Sequence, residues 1–179
     1  MWKIVGDCGR IILLLIKSEA RIDVNHIIGV YVCKLDAKGR ATVPAGLKRQ
    51  LMAVSDGGFV IKRSIFSRCL ELHTQQEWDK VSAQVGKLNR FVKKNADFVR
   101  MFHAGVKLVD MDAAGRILIP KDLLTYAGLE GNIVFSATTH GMEIWNQEDY
   151  ERELNRDDLD FGALAEEVMG SQGNQDDLS

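Results

Sequence analysis

Proline is nearly missing from this chain, with two in 179 residues, Pro44 and Pro120. A Pro-rich linker or collagen-like repeat is thereby excluded. Cysteine is almost as scarce. Cys8, Cys33 and Cys69 are an odd number without C-x-x-C spacing. They suggest neither a disulfide framework nor a zinc site, and a reduced, cytosolic compartment is the natural reading. Long apolar runs are lacking too. The six-residue run "IILLLI" at 11–16 falls far short of the roughly 18–20 residues that span a bilayer. It lacks a small-residue cleavage site, which argues against a secretory signal. There is no phosphate-binding glycine loop, no G-x-S-x-G, no H-E-x-x-H and no nucleophile with an obvious base. The expectation is a protein that is not an enzyme, with no cofactor, no metal, no membrane and no small-molecule substrate.

What is present is a hydrophobic content of 46% with 27% charged residues, as in a soluble globular protein. The formal net charge of −2 conceals an asymmetry. Residues 31–110 carry 15 Lys and Arg against 7 Asp and Glu, whereas residues 111–179 carry 4 against 15. A basic segment before an acidic one suggests a polyanion-binding face in the first and a solvating or self-contacting region in the second.

The two prolines mark a repeat. "DAKGRATVPAGL" at 36–47 aligns with "DAAGRILIPKDL" at 112–123, and six of the twelve positions are identical: Asp36/Asp112, Ala37/Ala113, Gly39/Gly115, Arg40/Arg116, Pro44/Pro120 and Leu47/Leu123. In each copy Asp suits the first turn position, where its side chain can accept from the backbone two residues on, and Gly tolerates positive φ at the fourth. "VYVCKL" before the first turn and residues 40–43 after it predict a hairpin. Pro44 then suits the first turn of a short helix, "PAGLKRQLM", ended by Asp56-Gly57-Gly58.

"FVIKRSIF" and "CLELH" predict two further strands. Thr74-x-x-Glu77 reads as a capping box opening a long basic helix, 74–94, with Trp78, Val81, Val85, Leu88 and Val92 on one apolar stripe. A break near Asn95 and a second short helix within "DFVRMFHAG" follow. The pattern then restarts, with "VKLVDMDAAGRILIP" as strand, turn and strand, and "KDLLTYAG" as a short helix with Pro120 before it and Gly128 after it. "NIVFSATTHGMEIW" forms a hairpin turning near His140-Gly141, and Asn146 caps "QEDYERELN". Two supersecondary units packed as an intrachain pseudo-dimer are expected. We divide the chain into an N-terminal extension at 1–28, a first unit at 29–105, a second at 106–155 and an acidic, partly disordered tail at 156–179.

Two chemistries fit the repeated turn. A carboxylate dyad of Asp36 and Asp112 lacks a nucleophile or activated water beside it, and each Asp has a sufficient job in its own turn. Arg40 and Arg116 follow the turn glycines and can bond guanine or phosphate bidentately. Each can equally pair with its own Asp, and both roles can hold together. Lys38 adds charge to the first turn only, because Ala114 replaces it in the second. The Lys-rich face of the basic helix reads first as a solvated surface, and only second as a direct DNA contact.

The paired D-x-x-G-R turns, with "KLDAKGR", "RFVKKNADFVRMFHAG", "DAAGRILIP", "LLTYAGL" and "MEIW" in order, resemble the MraZ family of bacterial transcriptional regulators over about residues 28–155. The resemblance implies an α+β fold of two tandem SpoVT/AbrB-like, swapped-hairpin-type β units and a ring-like homo-oligomer. It implies a sequence-specific repressor of the cell-division and cell-wall gene cluster that binds double-stranded DNA at short direct repeats, in a cytoplasmic, nucleoid-associated setting. Carried over by position, the DNA-binding residues are Lys38, Arg40 and Arg116, with Asp36, Gly39, Asp112 and Gly115 shaping the turns. The rival reading is an antitoxin-like or scaffold interaction module. "VNHIIGVY" at 24–31 looks like a family start, so residues 1–23 are expected to be upstream sequence, which mass spectrometry of the native protein would test.

Overall fold

The computed structural model describes residues 27–55 and 58–170. The expectations for residues 1–26, for Asp56-Gly57 and for the tail beyond Gly170 lie outside the described residues.

β1 (Val30–Lys34) and β2 (Arg40–Thr42) flank the first turn, and α1 (Ala45–Val54) follows. β3 (Phe59–Arg63), β4 (Leu70–Thr74), α2 (Gln75–Gly86) and α3 (Lys93–His103) complete the first half. The second half runs β5 (Lys107–Val109), β6 (Arg116–Leu118), α4 (Lys121–Ala127), β7 (Asn132–Thr138), β8 (Gly141–Asn146), α5 (Gln147–Leu154) and α6 (Phe161–Gly170). The class is α+β with two tandem units, as the sequence implies.

The strands form a six-stranded antiparallel sheet, β1-β7-β8-β4-β3-β5, and a separate two-stranded ribbon, β2-β6. Exchanging each strand for its partner in the other half leaves both orders unchanged. The exchange has a centre in each assembly: Glu71 opposite Glu143 in the sheet, and Ala41 opposite Ile117 in the ribbon. A pseudo-twofold axis therefore passes through both pairs.

This topology corrects the expected hairpins around the turns. β1 does not pair along β2. Beside the turn the chain forms a single antiparallel bridge, Leu35–Ala41, and β1 instead joins β7 of the other unit, from Val30 opposite Ser136 to Lys34 opposite Asn132. The return strand β2 pairs with its own counterpart β6. Each unit thus lends its first two strands to the other. The exchange buries edges that a lone hairpin would leave open.

Both faces of the sheet carry packed apolar side chains, but the central strands β4 and β8 alternate, with Glu71 and Glu143 on the face away from the larger cluster. Phe59, Ile61, Leu70, Leu72, Ile133, Phe135, Met142 and Ile144 face α1, α4 and the ribbon, which contribute Leu47, Leu51, Leu123, Ala41 and Ile117. At 25 cal/mol per Å² of apolar area, each of the Leu, Ile, Phe and Met side chains stabilises the fold by about 1.5–3 kcal/mol. Ile27 is buried in the same cluster, and the Ile28 N–H donates to Gln50 Oε1 at 2.8 Å. The opposite face holds Cys69, Val134 and Trp145 against Tyr150 of α5, and Trp78 of α2 stacks on Phe102 of α3 at 5.7 Å.

Other expectations shift in detail. Pro44 stands one residue before its helix rather than in the first turn, whereas Pro120 precedes its helix as expected. The strand within "FVIKRSIF" stops at Arg63, and Ile65 and Phe66 are exposed. Thr74 caps α2, its hydroxyl accepting from the Glu77 N–H at 3.2 Å, but the helix ends at Gly86 rather than running to 94. The Asn89 side chain accepts from the Phe91 N–H at 3.0 Å, a local turn that competes with helix. Leu88 and Val92 are exposed instead of extending the apolar stripe, and Asn95 lies inside α3, not at the break. The acidic region after 156 contains α6, where the Asp160 carboxylate accepts from the Gly162 and Ala163 N–H groups at 2.8 and 3.2 Å. Asn146 caps α5 as its sequence predicts, accepting from the Glu148 N–H at 2.9 Å.

Candidate nucleic-acid interface

The two D-x-x-G-R turns have nearly superimposable bonding. In the first, Asp36 Oδ1 accepts from the N–H groups of Lys38 and Arg40, both at 2.9 Å, while the Gly39 N–H donates to the Asp36 carbonyl at 2.9 Å. In the second, the Arg116 N–H donates to Asp112 Oδ1 at 2.9 Å and the Gly115 N–H to the Asp112 carbonyl at 2.8 Å. Gly39 and Gly115 have φ of +81° and +77°, a region that side chains with Cβ disfavour.

Each arginine is tied to its own turn carboxylate. Arg40 Nε and Nη2 both reach Asp36 Oδ2 at 2.7 Å, and Arg116 Nε and Nη2 reach Asp112 Oδ2 at 2.8 and 2.7 Å. A guanidinium has five N–H donors, so two point inward and three remain for a ligand. Bonds from the Arg40 backbone and side chain hold the Asp36 carboxyl below the usual carboxylate range. For Asp112 the Arg116 side chain is the leading cause of the same shift. Asp112, and more weakly Asp36, push the Arg116 pKa up.

The ribbon register decides what the two arginines share. Arg40 pairs with Leu118 and Thr42 with Arg116, on either side of Ala41–Ile117. Ala41 and Ile117 are fully buried. Side chains alternate faces along a strand, so Arg40, Thr42, Arg116 and Leu118 all lie on the outer face. Arg40 and Arg116 occupy diagonal positions there, one on each side of the pseudo-twofold axis. Spacing alone left open whether the second arginine joins the first, and the pairing of β2 with β6 brings them together.

The ribbon is braced by exchanged bonds. The Val43 N–H donates to the Gly115 carbonyl at 3.0 Å, and the Ile119 N–H to the Gly39 carbonyl at 2.9 Å. Above these glycines lie side chains of the opposite unit, Leu124 of α4 over Gly39 and Lys48 of α1 over Gly115. Lys48 was missed in the sequence. Only the 76-residue offset between the repeats, combined with the ribbon pairing, points to it.

Lys38 sits exposed in the first turn, and Ala114 occupies its place in the second. The basic residues of α2 and α3 lie elsewhere, and three of them are engaged on the surface: Lys80 pairs with Glu77 at 2.6 Å, and Lys93 and Arg100 pair with Asp97 at 2.6 and 2.9 Å. Among the described residues no group of His, Cys, Asp or Glu is arranged to hold a metal ion. None of their helices is long and apolar enough to cross a membrane.

Comparison with known proteins gives one answer. The family described as "MraZ protein, putative antitoxin-like" matches residues 27–101 and 102–170. A protein of Christiangramia forsetii named "Transcriptional regulator MraZ" is 51% identical over 146 residues, covering 82% of this chain and 94% of the relative. Its namesake in Flavobacterium psychrophilum is 50% identical over 147 residues, with the same coverage of both chains. Another in Cytophaga hutchinsonii is 37% identical over 141 residues, covering 79% and 93%. Two matched units and relatives of this similarity along most of both lengths lead to one conclusion: the chain belongs to the MraZ family.

Proposed function

We propose that this protein is a DNA-binding transcriptional regulator, a binding protein rather than an enzyme, that reads duplex DNA with the outer face of its β2-β6 ribbon. The observation that carries the reading is the shared placement of Arg40 and Arg116, each aimed by an aspartate and each with donors to spare. A two-stranded ribbon fits the major groove, where arginine bonds bidentately to guanine. The names of the relatives support regulation of transcription.

The finer reading follows the family resemblance. The protein acts as a repressor of the cell-division and cell-wall cluster and binds short direct repeats upstream. Lys38, Arg40 and Arg116 contact the DNA, and Asp36, Gly39, Asp112 and Gly115 shape the turns. Copies assemble into a ring-like homo-oligomer, so that repeated operators meet repeated turns and affinity grows by avidity. Supporting assembly, the basic stretch 87–103 leaves Leu88, Phe91 and Met101 exposed, and the acidic α5–α6 region leaves Leu154, Phe161 and Met169 exposed.

Arg40→Ala tests the reading. It should abolish preference for the upstream DNA in a gel-shift assay while the variant stays folded and keeps the parent's oligomeric state. Normal operator binding by Arg40→Ala would remove Arg40 as the reader. Negligible DNA affinity in the parent, with dispersal of the oligomer by both Arg40→Ala and Arg116→Ala, would favour the interaction module instead.

A further inference from the structure

We infer that Lys48 supplies the second turn with the phosphate-binding cation that its own sequence lacks. The inference rests on the nucleic-acid reading above. Asp36, Lys38 and Arg40 give the first turn a formal charge of +1, whereas Asp112, Ala114 and Arg116 leave the second at zero. Taken alone, the second turn has no net attraction for a phosphate backbone.

The fold places a lysine of the other unit at this spot. A Cβ on Gly115 would lie 3.0 Å from Lys48 Cδ and 3.1 Å from its Nζ. The lysine stem therefore runs over the bare glycine, and the ammonium reaches the turn. On the other side of the axis the same place belongs to Leu124, whose Cδ1 would lie 2.7 Å from a Cβ on Gly39. Positions 48 and 124 are related by the same offset that relates the two turns. The first turn carries its lysine within the loop and is covered by leucine, and the second carries alanine within the loop and is covered by lysine. With Lys48 counted, both turns stand at +1.

Cover alone does not require this charge, because Leu124 performs that service for Gly39. Nor does a carboxylate consume it. Asp110 and Asp112 line the same groove as Lys48, but Asp112 Oδ2 is engaged by Arg116 and Asp110 packs beside Gly58. Lys48 forms no ion pair with either one. A lysine ammonium is a point charge without the planar fork that reads guanine, so its ligand is the DNA phosphate backbone rather than a base edge.

Lys48→Leu keeps the cover and removes the charge, and adding Ala114→Lys returns a lysine to the second turn in the manner of the first. Binding would be followed by fluorescence anisotropy across a salt series. One duplex comes from upstream of the encoding gene, and a second, unrelated duplex has the same length. Lys48→Leu should lose about 3- to 10-fold in affinity for both duplexes, and its log–log salt slope should become shallower by about one. The double variant should regain affinity and slope. Unchanged affinity and slope in Lys48→Leu would overturn the inference, as would a loss that Ala114→Lys fails to restore. A parent that binds both duplexes equally would defeat the sequence-specific reading while leaving Lys48 to be judged by the slope. A parent that binds neither defeats both.

Discussion

Glu71 of β4 and Glu143 of β8 stand directly opposite each other at the pseudo-twofold axis, and of the two only Glu71 has a lysine. Lys62 Nζ donates to Glu71 Oε2 at 2.7 Å, and His73 Nε2 lies 3.1 Å from the same oxygen. Glu143 accepts instead from Trp145 Nε1 at 2.9 Å. Like charges opposed across an antiparallel pair are destabilising. Lys62, 1% exposed and lying 5.0 Å from the Phe102 ring centroid, offsets that repulsion. Burial pushes the Glu71 carboxyl up, but the bonds from His73 and Lys62 outweigh it and hold the group at about 2.

Lys62→Met should therefore cost about 2–4 kcal/mol near pH 7, because it strands a carboxylate beside another carboxylate. The folded-state pKa of Glu71 is depressed from 4.5 to about 2. Its stabilising contribution is thus present above 4.5 and lost as pH falls toward 2. In Lys62→Met the carboxyl protonates at higher pH and the repulsion disappears, so the penalty should shrink by pH 3. Urea melts of both proteins at pH 7 and pH 3 make the comparison, and an equal penalty at both values would contradict the role given to Lys62.

Gly39→Ala is expected to destabilise by about 1–3 kcal/mol. The φ of +81° is one cause, and the 2.7 Å approach to Leu124 Cδ1 and 3.2 Å approach to the Ile119 carbonyl is the other. Gly131→Ala is the control. Its φ of +63° is also positive, but nothing lies within 4 Å of the added carbon. Thermal melts should rank Gly39→Ala well below Gly131→Ala, and equal melting points would mean that the contact between turn and helix carries no weight.

Cys33 and Cys69 are 4% and 0% exposed, and desolvation pushes each thiol up to about 12. The thiolate is the reactive form. Neither should label with an aromatic disulfide reagent at pH 8 until denaturant is added, as peptide mapping of the labelled protein would read. Fast labelling of either in the native protein would reveal local opening of the sheet.

The elements that were legible from sequence are those fixed by local chemistry. Asp36-Gly39 and Asp112-Gly115 announce turns because the Asp acceptor and the positive-φ glycine act within four residues. Thr74, Asn146 and Gly128 mark helix ends for the same reason. The repeat itself points to two equivalent units. What the repeat does not disclose is whether each unit keeps its own strands. β2 pairing with β1 or with β6 buries the same Ala41, so the residues themselves do not distinguish the two, and only the family resemblance pointed to swapped hairpins. The role of Lys48 lay hidden for that reason, since it adjoins Gly115 solely through the exchange. The end of α2 at Gly86 was missed because Leu88 and Val92 keep helical spacing although neither is buried in the core.

Asp36→Asn separates aiming from turn formation. The amide oxygen can still accept from the Lys38 and Arg40 N–H groups, as Oδ1 does at 2.9 Å, so the turn is retained. The charge-assisted contacts of Arg40 Nε and Nη2 with Oδ2 are lost, and the guanidinium is free to swing. Affinity for the upstream duplex should fall about 10-fold, because a bidentate pair with guanine discriminates only when the fork is held. Affinity for an unrelated duplex should rise about 2- to 3-fold, because one negative charge has left the face proposed to meet phosphate. The two affinities thus move in opposite directions, as no general loss of folding would make them do. Parallel anisotropy titrations at one salt concentration read both. If specific affinity rose together with the non-specific one, Asp36 would be acting only as a charge that repels DNA, and Arg40 would need no aiming.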